Sequence, residues 1–232
     1  MASAKHLSRV DESGRAFAGS QRQIQTYVNH KTAELRQRLS ESIAVLKDSK
    51  VQLQWVSPLA RDGYVEYRDG DFLAAVGLEA HARDLARFWP QGGPCWDALA
   101  RVEGASKPSV LLVEAKSHPA EMHSTCGAQS ATSLAVINAA LAVTKQWLGV
   151  PRETDWLTDF YQLANRYAHL YFLRKVLGYE AWLVNVHFLN DPYKPTTRDQ
   201  WRAALADAHT RLGLPAEPRP NVMELFLEAA VE

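Results

Sequence analysis

The stretch GPCWDALARVEGASKPSVLLVEAKSHPAE, residues 93–121, decides the fold because two strand-like segments flank a turn. The segments are residues 95–102 and 109–116, and the intervening EGASKP carries the glycine and proline that interrupt a strand. The apolar run SVLLV ends in Glu114-Ala115-Lys116. Burying that carboxylate and that amine beside valine and leucine is costly unless each ion finds a partner or a metal.

An antiparallel hairpin with its turn centred between Ala105 and Ser106 sets Asp97 opposite Glu114. Directly opposed side chains have Cβ atoms about 4.5–5.5 Å apart. Lys116 shares a face with Glu114 because strand side chains repeat every two residues. Three charged groups then converge at one spot, an arrangement that a one-residue slip would undo. Adjacent carboxylates repel unless a cation separates them, and oxygen donors with several waters suit Mg²⁺. A neighbouring ammonium can orient or deprotonate a water, or stabilise charge on a phosphate. This is the chemistry of metal-assisted phosphodiester hydrolysis. The same residues also suit a second reading, a purely structural ion-paired cluster at the sheet edge.

Working outward, VQLQWVSPL (51–59) alternates as a strand, and the stretch around Ile24, Tyr27 and Val28 suits a short strand. Leu35, Leu39, Ile43 and Leu46 recur at helical steps after a start near Thr32. DFLAAVGLEAHARDLARFW (71–89) reads as one helix closed by Pro90. Further helices are expected over 130–148 and 157–177, followed by a strand over 179–189. TTRDQWRAALADAHTRL predicts a last helix, and a proline-rich stretch follows it. Strands and helices are interleaved, so the class is α/β, a short mixed central sheet with helices on both faces. The expected organisation is a flexible tail over 1–19, a main domain over 20–190 and a helical extension over 191–232 packed on it.

The 232 residues carry no net charge, which argues against a global basic field drawing the chain onto nucleic acid or an anionic membrane. Two cysteines, Cys95 and Cys126, are too few for a disulfide framework and lack metal-binding spacing. No apolar run approaches the roughly 18 residues of a membrane span, and the N-terminus lacks a signal-peptide core. These features predict a cytoplasmic protein without a membrane partner.

Asp97 followed by Glu114-Ala115-Lys116 at the end of an apolar strand resembles the D…(D/E)-x-K signature of the PD-(D/E)xK nucleases, the restriction-endonuclease-like superfamily. The run FWPQGGPCWDALA…LLVEAKSHPAE is similar to a group of bacterial members of unassigned role. The likeness spans about residues 20–190, whereas its diagnostic motif covers only a few positions. It implies a core of helix, three-stranded meander, helix and strand, with 71–89 as first helix and the meander's third strand unassigned. It implies Mg²⁺ or Mn²⁺ held by Asp97 and Glu114, with Lys116 assisting the attacking water. The substrate implied is nucleic acid, DNA ahead of RNA, cut by an enzyme that often forms a homodimer. An additional acid is expected from Glu79, with Glu66 as alternative. Trp96 stands where the pattern has proline, which many members tolerate. The alternative is a catalytically inactive nucleic-acid- or protein-binding module on the same fold.

Gln162, Asn165, Arg166 and His169 form one polar stripe at helical spacing. The resemblance implies that Gln162 and Arg166 point at the site; a structural or solvated stripe is the other reading. His118 and Glu121 are expected beside the site rather than as primary ligands, and a Cys126 nucleophile with His118 or His123 lacks an orienting third group. The tryptophans sit in apolar periodic runs and are expected in the core rather than as stacking platforms. Asn29 and Ser57 also match the group, without a chemical role.

Overall fold

The computed structural model describes residues 9–104, 109–217, 219 and 221–230. One five-stranded mixed sheet organises them. Its strands are β1 (Gln52–Ser57), β2 (Ala98–Glu103), β3 (Ser109–Lys116), β4 (Glu180–Leu189) and β5 (Val222–Glu228), in that spatial order. β1–β2 and β2–β3 pair antiparallel, whereas β3–β4 and β4–β5 pair parallel. The β2–β3 register runs from Ala98 opposite Val113 to Val102 opposite Ser109. That is the register expected from the sequence, although the turn itself, residues 105–108, lies outside the described residues.

β3 is apolar up to Val113 because both faces of this central strand are covered. On one face α1 (Gly19–His30) and α2 (Thr32–Ser40) bring Ile24, Tyr27, Leu35 and Leu39 onto Ala100, Leu111, Val113, Val184 and Val186. The other face packs Leu99, Leu112 and Leu183 beneath α3 (Asp69–Ala75), α4 (Ala82–Phe88), α5 (Ala131–Leu148), α6 (Tyr161–Tyr171) and α7 (Arg198–Arg211). Helices therefore cover both faces, and the chain is α/β. None of the described helices is long and apolar enough to cross a membrane.

Several elements differ from the sequence reading. Ile24, Tyr27 and Val28 lie on a helix rather than a strand, and their spacing of three and one places all three on its buried face. The expected helix over 71–89 is broken at Gly77, whose φ of 80° is left-handed, so α3 and α4 are joined through a 3₁₀ turn. The hairpin's neighbour on the β2 side is β1, paired antiparallel to it. α6 begins only at Tyr161, because the Asp155 carboxylate accepts from the Leu157 N–H and the Thr158 hydroxyl and holds an irregular turn before it. The C-terminal extension is not wholly helical: after α7 it supplies β5, with Leu225 and Leu227 on one face and Glu224 and Phe226 on the other.

Of the stretch read as a tail, residues 1–8 lie outside the described residues. Residues 9–18 make a turn around Asp11, and buried Ala16 donates its N–H to Gln25 Oε1 at 2.8 Å. Asn29, matched from sequence without a role, ties α1 to the chain after β1. Its Nδ2 donates to Pro58 O and its Oδ1 accepts from the Ala60 N–H, each at 2.8 Å.

Candidate active site

The entry to β2 fixes Asp97. Trp96 donates its N–H to Tyr67 O at 3.0 Å and is fully buried, so Asp97 stands at the very end of the strand. Continuing the register by one step sets it opposite Glu114, and Asp97 Oδ2 accepts the Ala115 N–H at 2.7 Å. Glu114 and Lys116 project from the same face, and all three line one open cleft of about 800 Å³. The 92–95 loop forms its rim, held by Asp69, whose carboxylate accepts the N–H groups of Gly92 and Gly93 at 3.0 and 2.9 Å.

Helix α6 supplies the opposite wall. Ser124 anchors its start by accepting the Tyr161 N–H on its carbonyl and the Gln162 N–H on its hydroxyl. Gln162, Asn165 and Arg166 line the cleft. Arg166 Nε and Nη2 approach Glu114 Oε2 at 2.6 and 2.5 Å, Nη2 also reaches Cys95 O, and Nη1 reaches Asn165 Oδ1. The guanidinium stacks on Trp96, with Cζ 4.9 Å from the ring centroid. Lys116 Nζ takes the other Glu114 oxygen at 2.5 Å.

Burial raises the Glu114 pKa, but the charges of Arg166 and Lys116 outweigh it and hold the carboxyl below its usual range. Burial works the other way on Lys116, where Glu114 and Asp97 prevail and keep the ammonium above its ordinary value. Asp97 is pushed up to about 8, first by burial and then by the Glu114 charge. Glu66 is also raised, chiefly by burial, while hydrogen bonds from Gln21 and Cys95 offset part of the effect.

Of the two candidates for an additional acid, Glu66 and not Glu79 stands at the cleft. Glu66 lines the cleft and accepts Gln21 Nε2 from α1 at 3.1 Å. Glu79 is exposed on the 3₁₀ turn after Gly77, and Gly77 lies against the Arg101 side chain. Arg101 is four residues along β2 from Asp97, roughly 13 Å at strand rise. His118 and Glu121 pair with each other at 3.3 Å after β3, outside the cleft lining. His123 faces Asp159 at 3.0 Å rather than a thiol, and both cysteines are free. Trp89, Trp96, Trp156 and Trp201 are buried, which matches the core reading.

His169, last of the stripe, leaves the cleft and packs edge-on against Phe72, Trp89 and Trp96. Its Nδ1–H donates to Asn165 O at 2.9 Å, and burial lowers its pKa from 6.5 to about 4. Below pH 6.5 the unfolded chain binds a proton that the folded ring refuses until about pH 4. Stability therefore falls across that window, by up to about 3 kcal/mol. Urea unfolding at pH 7 and pH 4.5 is expected to show this loss, and His169→Phe is expected to remove most of it.

Sequence reasoning missed the continuation of the site across the sheet. Parallel register sets Asn185 beside Glu114 and His187 beside Lys116, and Glu224 of β5 follows Asn185. The signal was present in YEAWLVNVHFL: two polar residues two apart in a buried strand share one face. Among the described residues no group of three or more His, Cys, Asp or Glu side chains is arranged as a metal site. Compared with known proteins, the chain matches no protein-family model, no curated protein and no solved structure.

Proposed function

We propose that this chain is a divalent-metal-dependent phosphodiester hydrolase with a restriction-endonuclease-like core. The observation that carries the reading is the meeting of Asp97 with Glu114 across β2–β3, with Lys116 on the same face, in a cleft open to solvent. The element order supports it too: with α3 and α4 inserted between β1 and β2, helices α1–α2, the antiparallel strands β1–β2–β3, helices α5–α6 and strand β4 follow the core order that the motif implies. In this reading α1–α2, not 71–89, is the first core helix.

The donor set fits Mg²⁺ or Mn²⁺. It offers carboxylate oxygens only, and Asp97 uses Oδ2 toward the backbone, which leaves Oδ1 for a cation. Asp97 and Glu114 would hold the ion, and Glu66 lines the same cleft. A cation bound there supplies charge neutralisation and a polarised water. Lys116 would orient the attacking water and meet charge developing on the phosphate. Arg166, fixed by Trp96, Asn165 and Cys95 O, keeps the Glu114 carboxylate aimed into the cleft. Nucleic acid is the proposed substrate, DNA ahead of RNA, and a homodimer belongs to the same proposal.

One observation favours a second reading, a non-catalytic binding module. Both Glu114 oxygens are already engaged by Lys116 and Arg166, so the pair of fixed cations balances the carboxylate without a metal. Calorimetric titration with Mg²⁺ and Mn²⁺, alongside cleavage assays on single- and double-stranded DNA and RNA, separates the two. The enzyme reading expects metal binding and metal-dependent cleavage that falls at least about 10²-fold in Lys116→Ala. Absence of cleavage under every metal and substrate condition would leave only the binding module.

A further inference from the structure

A second, smaller cavity adjoins the cleft, shares Glu114, Lys116 and Gln162 with it, and reaches Asn185, His187 and Glu224. One carboxylate orients Asn185 and His187 of β4. Glu224 Oε1 accepts Asn185 Nδ2 at 3.1 Å, and Oε2 accepts His187 Nε2 at 2.6 Å. The proton of a neutral His187 is thereby fixed on Nε2, which leaves the lone pair on Nδ1. The Asn185 amide is likewise set with Oδ1 as its remaining acceptor. Trp201 and Phe226 flank the imidazole, with ring centroids 4.6 and 5.5 Å away, and hold its plane.

Asn185 Oδ1 and His187 Nδ1 are both buried, and neither has a hydrogen-bond partner among the described residues. Each such orphan costs about 1–3 kcal/mol, so two prepared acceptors side by side call for a donor. Lys116 is the one cationic side chain among those lining this cavity. It is the register partner of His187 on the adjacent strand, about 4.8 Å away, and its ammonium now rests on Glu114 Oε1. A cation held by Glu114 competes for that same oxygen.

We propose that Asn185 and His187, set by Glu224, are the docking place for the Lys116 ammonium when Glu114 yields an oxygen to a divalent cation. The inference rests on the metal-dependent reading above. An ammonium has three donors. Two satisfy Asn185 Oδ1 and His187 Nδ1, and the third is left for the attacking water. Asn185, His187 and Glu224 are thus positioning residues that act through Lys116.

The test is NMR of the full-length protein with ¹⁵N-labelled histidine, without and with saturating Mg²⁺, together with nuclear Overhauser contacts from the Lys116 ε-methylene. On metal addition, His187 Nδ1 is expected to shift in the direction of an accepted hydrogen bond, and contacts from Lys116 to the imidazole are expected to appear. In Lys116→Met, which retains metal binding because lysine is not a ligand, the shift should be lost. A His187 signal indifferent to metal, or a shift that persists in Lys116→Met, overturns the proposal, as does metal binding without a Lys116–His187 contact. Calorimetry on the same samples keeps the two ideas apart. If Mg²⁺ does not bind, the metal-dependent reading fails and the docking falls with it; if Mg²⁺ binds while His187 is unmoved, only the docking fails.

Discussion

Glu114→Ala is expected to destabilise the fold by about 3–5 kcal/mol, since removing one partner of a buried ion pair strands the other in a dry environment. The stranded group is Arg166, which is 4% exposed and projects from α6 onto the sheet. Arg166→Ala is expected to cost a similar amount, with Glu114 left to Lys116 alone. Residues in direct contact couple, so the double variant should lose clearly less than the sum of the two single losses. Urea unfolding of the four proteins measures this directly. Additive or sub-kilocalorie effects would mean that the clamp contributes little and that Arg166 is not held as described.

Asp97→Asn carries the largest expected effect on activity. The replacement is nearly isosteric, and an amide oxygen can still accept the Ala115 N–H that now binds Oδ2. The fold should therefore persist, while the side chain can no longer give up a proton and become the carboxylate that a cation needs. Metal-assisted stabilisation supplies several kcal/mol, and each 1.36 kcal/mol is tenfold in rate, so cleavage is expected to fall by about 10³-fold. Calorimetry should show weakened Mg²⁺ binding in parallel. Undiminished cleavage by a folded Asp97→Asn protein would remove Asp97 from the chemistry.

The hairpin was legible because its signals were local: two apolar segments, a Gly/Pro-bearing break and a period of two. Those signals fixed the register, and the register brought Asp97 to Glu114. Other parts depended on partners distant in sequence. The polar stripe of α6 could be read as a stripe, but helical spacing does not say whether it meets water or a sheet. In the fold it divides, Arg166 binding Glu114 while His169 joins an aromatic cluster. Glu79 seemed placed for the site only while 71–89 was read as one straight helix, and the Gly77 break turns it elsewhere. β5 was hidden because Glu224 interrupts its apolar pattern. That carboxylate faces Arg219 and His209 at 3.9 and 3.8 Å, but its hydrogen bonds go to Asn185 and His187, some 40 positions earlier in the chain.

That separation has a consequence for how the protein matures. While the polypeptide is being synthesised, β3 and β4 emerge well before the segment carrying Glu224. Until this late strand adds to the growing edge, the imidazole and amide of β4 lack the carboxylate that fixes their hydrogen bonding. The nascent molecule can thus acquire most of its hydrophobic interior while this polar cluster is still unaligned, and attachment of β5 becomes the step that completes it.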